Sequence, residues 1–177
     1  MTADLKTITM TMKAMKGDLE KQIASLDLWY LKNHLLDAHI NVSDRFLRQR
    51  IIKEGRFQAS SFLTKDDSLL FNAIKEALNK ENEKEALLYF LALPQEKWGA
   101  TEKRPEGTEW MIDFDLPKGV VGHLYKRSHD HNWDDGPITT SAGTLVIRRN
   151  AKYAEDMFQR GWSHEDPFIL VTAYAVE

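Results

Sequence analysis

The sequence of 177 residues contains no cysteine, and its charges nearly cancel. The absence of cysteine excludes disulfides, thiolate metal sites and a cysteine nucleophile. It suits work in the cytoplasm, and also a chain that has to unfold and refold without redox help. The formal net charge of −3 gives no overall attraction to nucleic acid. A nucleic-acid role would therefore depend on a local basic patch.

Long apolar runs are also missing. No stretch approaches the roughly 20 apolar residues that a membrane-spanning helix needs, and the N-terminal stretch 1–21 is too polar for a secretory signal. We therefore expect neither a membrane span nor a signal peptide. A hydrophobic fraction of 42% and a charged fraction of 29% are ordinary for a globular protein. The length fits one domain, or one domain with a helical extension.

The N-terminal segment 1–35 is predicted to be an amphipathic helical segment, separate from a domain over 36–177. Its apolar residues recur every three or four positions, as on one face of a helix: Leu5, Ile8, Met12, Met15, Leu19, Ile23, Leu26 and Tyr30. Packing on the rest of the chain is the first use of such a stripe. The alternative is a seam for an oligomer or a partner.

Two further helices are predicted before residue 95. Ser43 is a suitable N-cap for a helix over 44–54, and Gly55 is a suitable C-terminal cap. The stretch 59–64 is predicted to be an extended segment or a turn. Thr64 and Asp67 resemble a capping pair that opens a longer helix, which Pro94 ends.

After Pro94 the apolar pattern changes to a period of two, which is typical of strands. Strands are predicted within 108–116, 120–126, 144–149 and 167–177. Helices followed by strands indicate the α+β class, with N-terminal helices and then an antiparallel β-sheet. In the last strand Thr172 and Tyr174 lie two apart and so share a face. Their hydroxyls need partners, and either solvent or a phosphate group would serve.

His39 and Arg50 form the chemically most suggestive pair. His39 lies at an irregular break, and Arg50 lies within the next predicted helix. RNA transesterification needs a base that removes the ribose 2′-OH proton and a cation that stabilises charge on the phosphoryl oxygens. Arginine suits the second task, because its planar fork can hold two phosphate oxygens. Most of the other charges on that helix are predicted to be solvated.

The order of these features resembles the ribonuclease A-like toxin domain at the C-termini of bacterial CdiA contact-dependent growth inhibition proteins. That family has a histidine, then an arginine in the following helix, then a small-Ser-Ser-Phe element, and it ends in a strand containing Thr-Ala-Tyr. The corresponding residues here are His39, Arg50, the run 59–62 and the run 172–174. The resemblance covers roughly residues 36–177.

The resemblance implies a ribonuclease A-like core and a metal-independent endoribonuclease with no cofactor. It implies His39 as the general base, Arg50 as the phosphate clamp, and Thr172 and Tyr174 as hydrogen-bond donors to the phosphate. The product would be a 2′,3′-cyclic phosphate. The implied setting is antibacterial: the toxin acts in the cytoplasm of a target bacterium after delivery, and a cognate immunity protein blocks it in the producing cell.

The chain departs from the family pattern at two motifs and one loop. Val42 and Ser43 stand where the family often has a lysine, Ala175 stands where proline is common, and the loop 127–143 has no counterpart. The missing lysine and the acidic net charge give weight to an alternative, a non-catalytic RNA-binding or protein-interaction domain with the same fold. A third hypothesis is an interaction module that uses the N-terminal stripe.

Other polar and aromatic groups are weaker candidates. The loop cluster His129, Asp130, His131, Asp134 and Asp135 has metal-ligand types but no standard ligand spacing, so no metal site is predicted. His123 is interpreted as a structural histidine, with a second proton-transfer role as the alternative. Substrate-binding candidates are Ser60 and Ser61 from the Ser-Ser-Phe element, Arg148 for phosphate contact, and Trp133 and Trp162 for base stacking, with Trp162 retained in the predicted site.

Overall fold

A computed structural model describes residues 2–27, 38–127 and 137–177 of the chain. The helices are α1 (Thr2–Ser25), α2 (Asp44–Glu54), α3 (Asp67–Asn79), α4 (Glu81–Ala92) and α5 (Ala151–Arg160), with a short 3-10 turn at Gln95–Lys97. The strands are β1 (Gln58–Thr64), β2 (Trp110–Asp115), β3 (Val120–Lys126), β4 (Ile138–Thr140), β5 (Ala142–Arg149) and β6 (Phe168–Val176). The predicted α+β class is confirmed.

In the part of the chain that the structure describes, the strands form two three-stranded sheets rather than one. The first has the order β1-β3-β4 and the second the order β2-β5-β6. In the first sheet β3 runs antiparallel to both neighbours, and Ser61 lies opposite His123 in the register. Strand β4 lies inside the predicted loop 127–143. The sequence did not reveal it, because three residues are too few to show an alternating pattern.

The chain divides into two compact units. The first comprises Met1–Leu26, Leu78–Ile112 and Val146–Val171, and the second comprises Asp27–Ala77, Asp113–Leu145 and Thr172–Glu177. The sequence-predicted boundary between residues 35 and 36 lies outside the described residues. Within the part of the chain that the structure describes, no helix is both long and apolar enough to cross a bilayer.

In the first unit the predicted stripe of α1 is largely buried. Ile8, Met15, Leu19 and Ile23 are inaccessible to solvent or nearly so, whereas Leu5 is exposed, and α1 packs along α4. Burying one apolar face is what stabilises such a helix in a globular protein. The first predicted use of the stripe is therefore confirmed, although its last member, Tyr30, lies outside the described residues.

A buried arginine links separate segments of the first unit by hydrogen bonds. Arg149 is only 2% exposed, and its guanidinium donates to the backbone carbonyls of Glu106, Thr108 and Phe90 over 3.1–3.4 Å. It also lies 3.7 Å from the ring centre of Phe90. Burial lowers the pKa of Arg149 to about 10, so the group stays charged at neutral pH. The three carbonyl dipoles and the Phe90 ring compensate the buried charge of the guanidinium.

One hydrophobic cluster of the second unit lies where α2 packs on the first sheet. Leu47 and Ile51 of α2 contact Ala59 of β1 and Tyr125 of β3. The predicted caps of α2 are confirmed: the Ser43 side chain accepts from the Phe46 amide, and Gly55 adopts the left-handed conformation at φ 66°.

The predicted long helix before Pro94 is wrong in two respects. Lys80 has an extended backbone with ψ 129°, which breaks the pattern into α3 and α4. The capping residue of α3 is Asp66 rather than Thr64, because the Asp66 carboxylate accepts from both the amide and the hydroxyl of Ser68. The apolar spacing continues across the break, so spacing alone could not reveal it.

The segment before the last strand forms helix α5. Asn150 caps α5 by accepting from the Lys152 amide, and Gly161 closes the helix at φ 76°. Both are standard boundary residues for a helix, so the sequence carried a usable signal for α5.

Strand β6 changes its buried side along its length. Phe168 and Leu170 are buried at its start, whereas Ala173 and Ala175 are fully buried at its end. Alternate residues of a strand point to opposite faces. Thr172 and Tyr174 therefore occupy the partly exposed side at the end of the strand, and they share a face as predicted.

Candidate functional site

The backbone around His39 is held against the edge of β1. Ile40 forms a parallel bridge with Phe62. The Ser61 hydroxyl donates to the His39 carbonyl over 3.2 Å and accepts from the Val42 amide over 2.9 Å. The Ser-Ser-Phe element therefore fixes the segment that carries His39.

Asn41 makes the turn from this edge into α2. It has φ 50°, a left-handed conformation that asparagine tolerates better than most residues. Its side chain donates to the Thr64 carbonyl over 2.9 Å and accepts from the Thr64 amide over 3.0 Å. The paired bonds imitate a strand partner, and they set the direction in which α2 begins. The sequence interpretation assigned no role to Asn41.

Arg50 reaches back from α2 to the histidine segment. Its Nη1 donates to the Ala38 carbonyl over 2.7 Å, and its guanidinium lies 5.5 Å from the ring centre of Phe46. Arg50 therefore lies next to His39 in the structure, because its side chain is hydrogen-bonded to the backbone of the residue that precedes His39.

The surroundings of His39 favour a neutral imidazole. Burial lowers the pKa of His39 to about 4, and the nearby charges of Arg50 and Arg56 act in the same direction, while a hydrogen bond to the Ser60 backbone opposes them. Its Nδ1 is buried and has no hydrogen-bond partner among the described residues. At neutral pH the ring is therefore unprotonated beside a fixed cation, and the same low pKa makes it a weak base.

Thr172 and Tyr174 lie on the same side of β6. Both side chains are half-buried. The Thr172 hydroxyl makes only a long contact of 3.5 Å with the Ala173 carbonyl, so it is available to another acceptor. Within the described residues, no hydrogen bond joins either side chain to His39 or Arg50. Their convergence with His39 stays a prediction.

The four predicted substrate-binding residues have different surroundings. Ser61 is fully buried and Ser60 nearly so, which gives Ser61 a positioning role and would require the site to open for direct RNA contact. In the first unit, the Arg148 guanidinium pairs with Glu106 at 2.9 Å and with Glu109 at 3.7 Å, so a phosphate would have to compete with two carboxylates. Trp162 is largely exposed, and its ring lies 4.2 Å from the Arg160 guanidinium.

A second polar cluster lies on the other flank of α2, against β3. His123 Nδ1 lies 3.5 Å from the Asp44 carboxylate, and the Arg48 guanidinium lies 5.2 Å from the ring centre of Tyr125. Burial, followed by the Asp44 carboxylate, raises the pKa of Tyr125. These contacts attach α2 to β3, which agrees with a structural His123.

His129, Asp130, His131, Trp133, Asp134 and Asp135 lie outside the described residues. Across the residues that are described, no group of three or more metal-ligating side chains comes together.

Neither a protein-family model nor a curated protein matches the sequence. A solved structure does match the fold: a chain in the crystal structure of a CdiA-CT/CdiI complex from Y. kristensenii 33638. The TM-score is 0.50 at 14% sequence identity, and the match covers 81% of this chain and 99% of the other. At this identity the likeness concerns the fold alone.

Proposed function

We propose that this chain is an endoribonuclease toxin that cleaves RNA by attack of the ribose 2′-OH on the adjacent phosphate. The observation that carries the proposal is the His39 imidazole, neutral and with an unpartnered Nδ1, beside the Arg50 guanidinium. The fold likeness to a chain of a CdiA-CT/CdiI complex supports the toxin setting.

In the proposed reaction His39 takes the proton of the 2′-OH. The 2′ oxygen then bonds to phosphorus, the bond to the 5′ oxygen breaks, and the departing oxygen takes a proton through water. The products are a 2′,3′-cyclic phosphate and a free 5′-OH. Arg50 stabilises the charge that develops on the phosphoryl oxygens, and Thr172 and Tyr174 donate hydrogen bonds to them. Acid–base and electrostatic catalysis suffice for this step, so the proposal includes no metal and no cofactor.

The proposed biological setting follows from the same likeness. The chain would act in the cytoplasm of a target bacterium after delivery, and a dedicated immunity protein would protect the producing cell. RNA is the proposed substrate and the immunity protein is the proposed protein partner. An oligomer formed through α1 would have to use its exposed side, because the apolar stripe already packs within the first unit.

A second candidate function is binding of RNA or protein without catalysis. One observation favours it: Arg50 Nη1 is already bonded to the Ala38 carbonyl at 2.7 Å. That bond gives the guanidinium a structural role that a non-catalytic domain would also need.

The test is incubation of the purified chain with total RNA, with and without EDTA, alongside His39→Ala. We expect cleavage that EDTA does not abolish and that falls by about 10²–10⁴-fold in the variant, as is typical when a positioned acid–base group is removed. Mass spectrometry of a cleaved dinucleotide would identify the cyclic phosphate. If the folded parent chain leaves RNA intact, the binding function replaces the enzyme.

Two further variants test the other site residues. Thr172→Val and Tyr174→Phe each remove one hydroxyl and should lower kcat if the hydroxyl contacts the phosphate in the transition state. Thr139→Val makes the same change as the first variant at an exposed position of β4, and it should leave cleavage unchanged. Equal effects of the two threonine variants would remove Thr172 from the site.

A further inference from the structure

Helix α2 presents a mixed aromatic and cationic face beside the candidate site. Phe46, Arg50 and Lys53 are spaced by four and then three residues, so they lie along one side of the helix. This side is distinct from the one that buries Leu47 and Ile51. Over residues 44–56 five basic residues outnumber two acidic ones, in a chain whose net charge is −3. The basic patch that nucleic-acid binding requires is therefore local and centred on α2.

Phe46 is the aromatic member of this face. It is 52% exposed, and the Arg50 guanidinium lies 5.5 Å from its ring centre. A single exposed phenylalanine is not unusual in itself. Here, however, the ring adjoins the cation that is proposed to hold the scissile phosphate, within reach of the nucleoside attached to that phosphate.

We propose that Phe46 stacks on a nucleobase next to the scissile phosphate and that Lys53 contacts a neighbouring phosphate, so that the substrate is single-stranded RNA. The inference rests on the proposed function, because it places the phosphate at Arg50. An aromatic ring can stack on a base only when the base is free of its duplex, and such stacking tolerates every base type. Phe46 and Lys53 lie about 10 Å apart along the helix axis, a length that suits a short extended strand.

The test uses a probe that cannot be cleaved: a fluorescent oligodeoxynucleotide of about ten residues, a length within the usual site size for single strands. It lacks the 2′-OH, so its binding is independent of catalysis. We expect Phe46→Ala to weaken binding by about 5-fold to 150-fold, the range for loss of one stacked base, and Phe46→Trp to retain it. Lys53→Gln should make the affinity less dependent on salt.

The matched control is Tyr89→Ala, which removes an aromatic ring that is 46% exposed on α4 in the first unit. It should leave oligonucleotide binding unchanged. The same sequence annealed into a duplex should bind more weakly, and Phe46→Ala should not affect it. Thermal unfolding of each variant would exclude loss of the fold.

The outcomes separate this inference from the proposed function. The stacking site would be overturned if Phe46→Ala left the affinity for the oligonucleotide unchanged, or if it weakened binding of the single strand and the duplex equally. This face of α2 would then be assigned to contact with a protein partner. Binding that depends on Phe46, in a chain that never cleaves RNA, would support the stacking site and refute the enzyme. Cleavage that depends on His39 and not on Phe46 would support the enzyme and refute the stacking site.

Discussion

The depressed pKa of His39 makes the stability of the fold depend on pH in a defined window. The pKa is 6.5 for an ordinary histidine and about 4 in the folded chain. Between these values the unfolded chain binds a proton that the folded chain does not, so stability falls as the pH falls. Above pH 6.5 both states are neutral and His39 contributes no pH dependence.

The magnitude follows from the size of the window. One pH unit corresponds to about 1.4 kcal/mol, and His39 is partly exposed, which screens the effect. Acidification from pH 7 to pH 4.5 should therefore cost the parent chain about 2 kcal/mol through this residue. His39→Gln cannot titrate, so it should lose about 2 kcal/mol less than the parent over the same range.

Urea unfolding followed by tryptophan fluorescence measures both chains at each pH. The quantity compared is the change in the free energy of unfolding with pH, so any uniform cost of the substitution cancels. Arg50→Gln provides a second check. It removes a charge that depresses the pKa of His39, so it should narrow the pH range over which His39 changes the free energy of unfolding. Parallel pH profiles for the parent and His39→Gln would show that His39 is not held neutral, and the reasoning would fail.

Three other predictions address catalysis and packing. The kcat/KM for RNA cleavage should rise with pH through about 4 and level off towards neutrality, because neutral His39 is the base; initial rates across this range would test it. Arg149→Met should cost about 3–5 kcal/mol in urea unfolding, because it takes the donor away from the buried Phe90 carbonyl and from the part-buried carbonyls of Glu106 and Thr108. Gly122→Ala should cost about 1–3 kcal/mol, because a Cβ there would collide with the Thr140 hydroxyl and would lie 2.9 Å from the Cβ of Ala175. Gly17→Ala in α1 meets no neighbouring atom and should be neutral or gain up to about 1 kcal/mol.

Each of these three can fail on its own. A pH profile that stays flat would remove His39 as the base. Small effects at Arg149 would mean that water replaces the guanidinium at the carbonyls. Equal effects of the two glycine substitutions would contradict the close approach of Thr140 and Ala175 to Gly122.

The sequence by itself determined the elements whose signals are local. The stripe of α1, the caps Ser43 and Gly55, and the period of two within 108–116 all follow from positions two to four apart. The structure confirms them, and in β2 the buried residues are Ile112 and Phe114. The pairing of His39 with Arg50 also came from the sequence, first from the chemistry of the two residue types and then from the family resemblance.

Tertiary structure decided what depends on distant neighbours. The break at Lys80 and the change of buried side along β6 leave the apolar spacing intact, so only packing reveals them. The neutral state of His39 arises because burial and Arg50 together disfavour its charge. The burial of Ser61 arises because its hydroxyl completes hydrogen bonds with a backbone segment about twenty positions earlier in the chain. Desolvation and long-range hydrogen bonds have no period along a sequence, and they convert a suggestive set of residues into a candidate site.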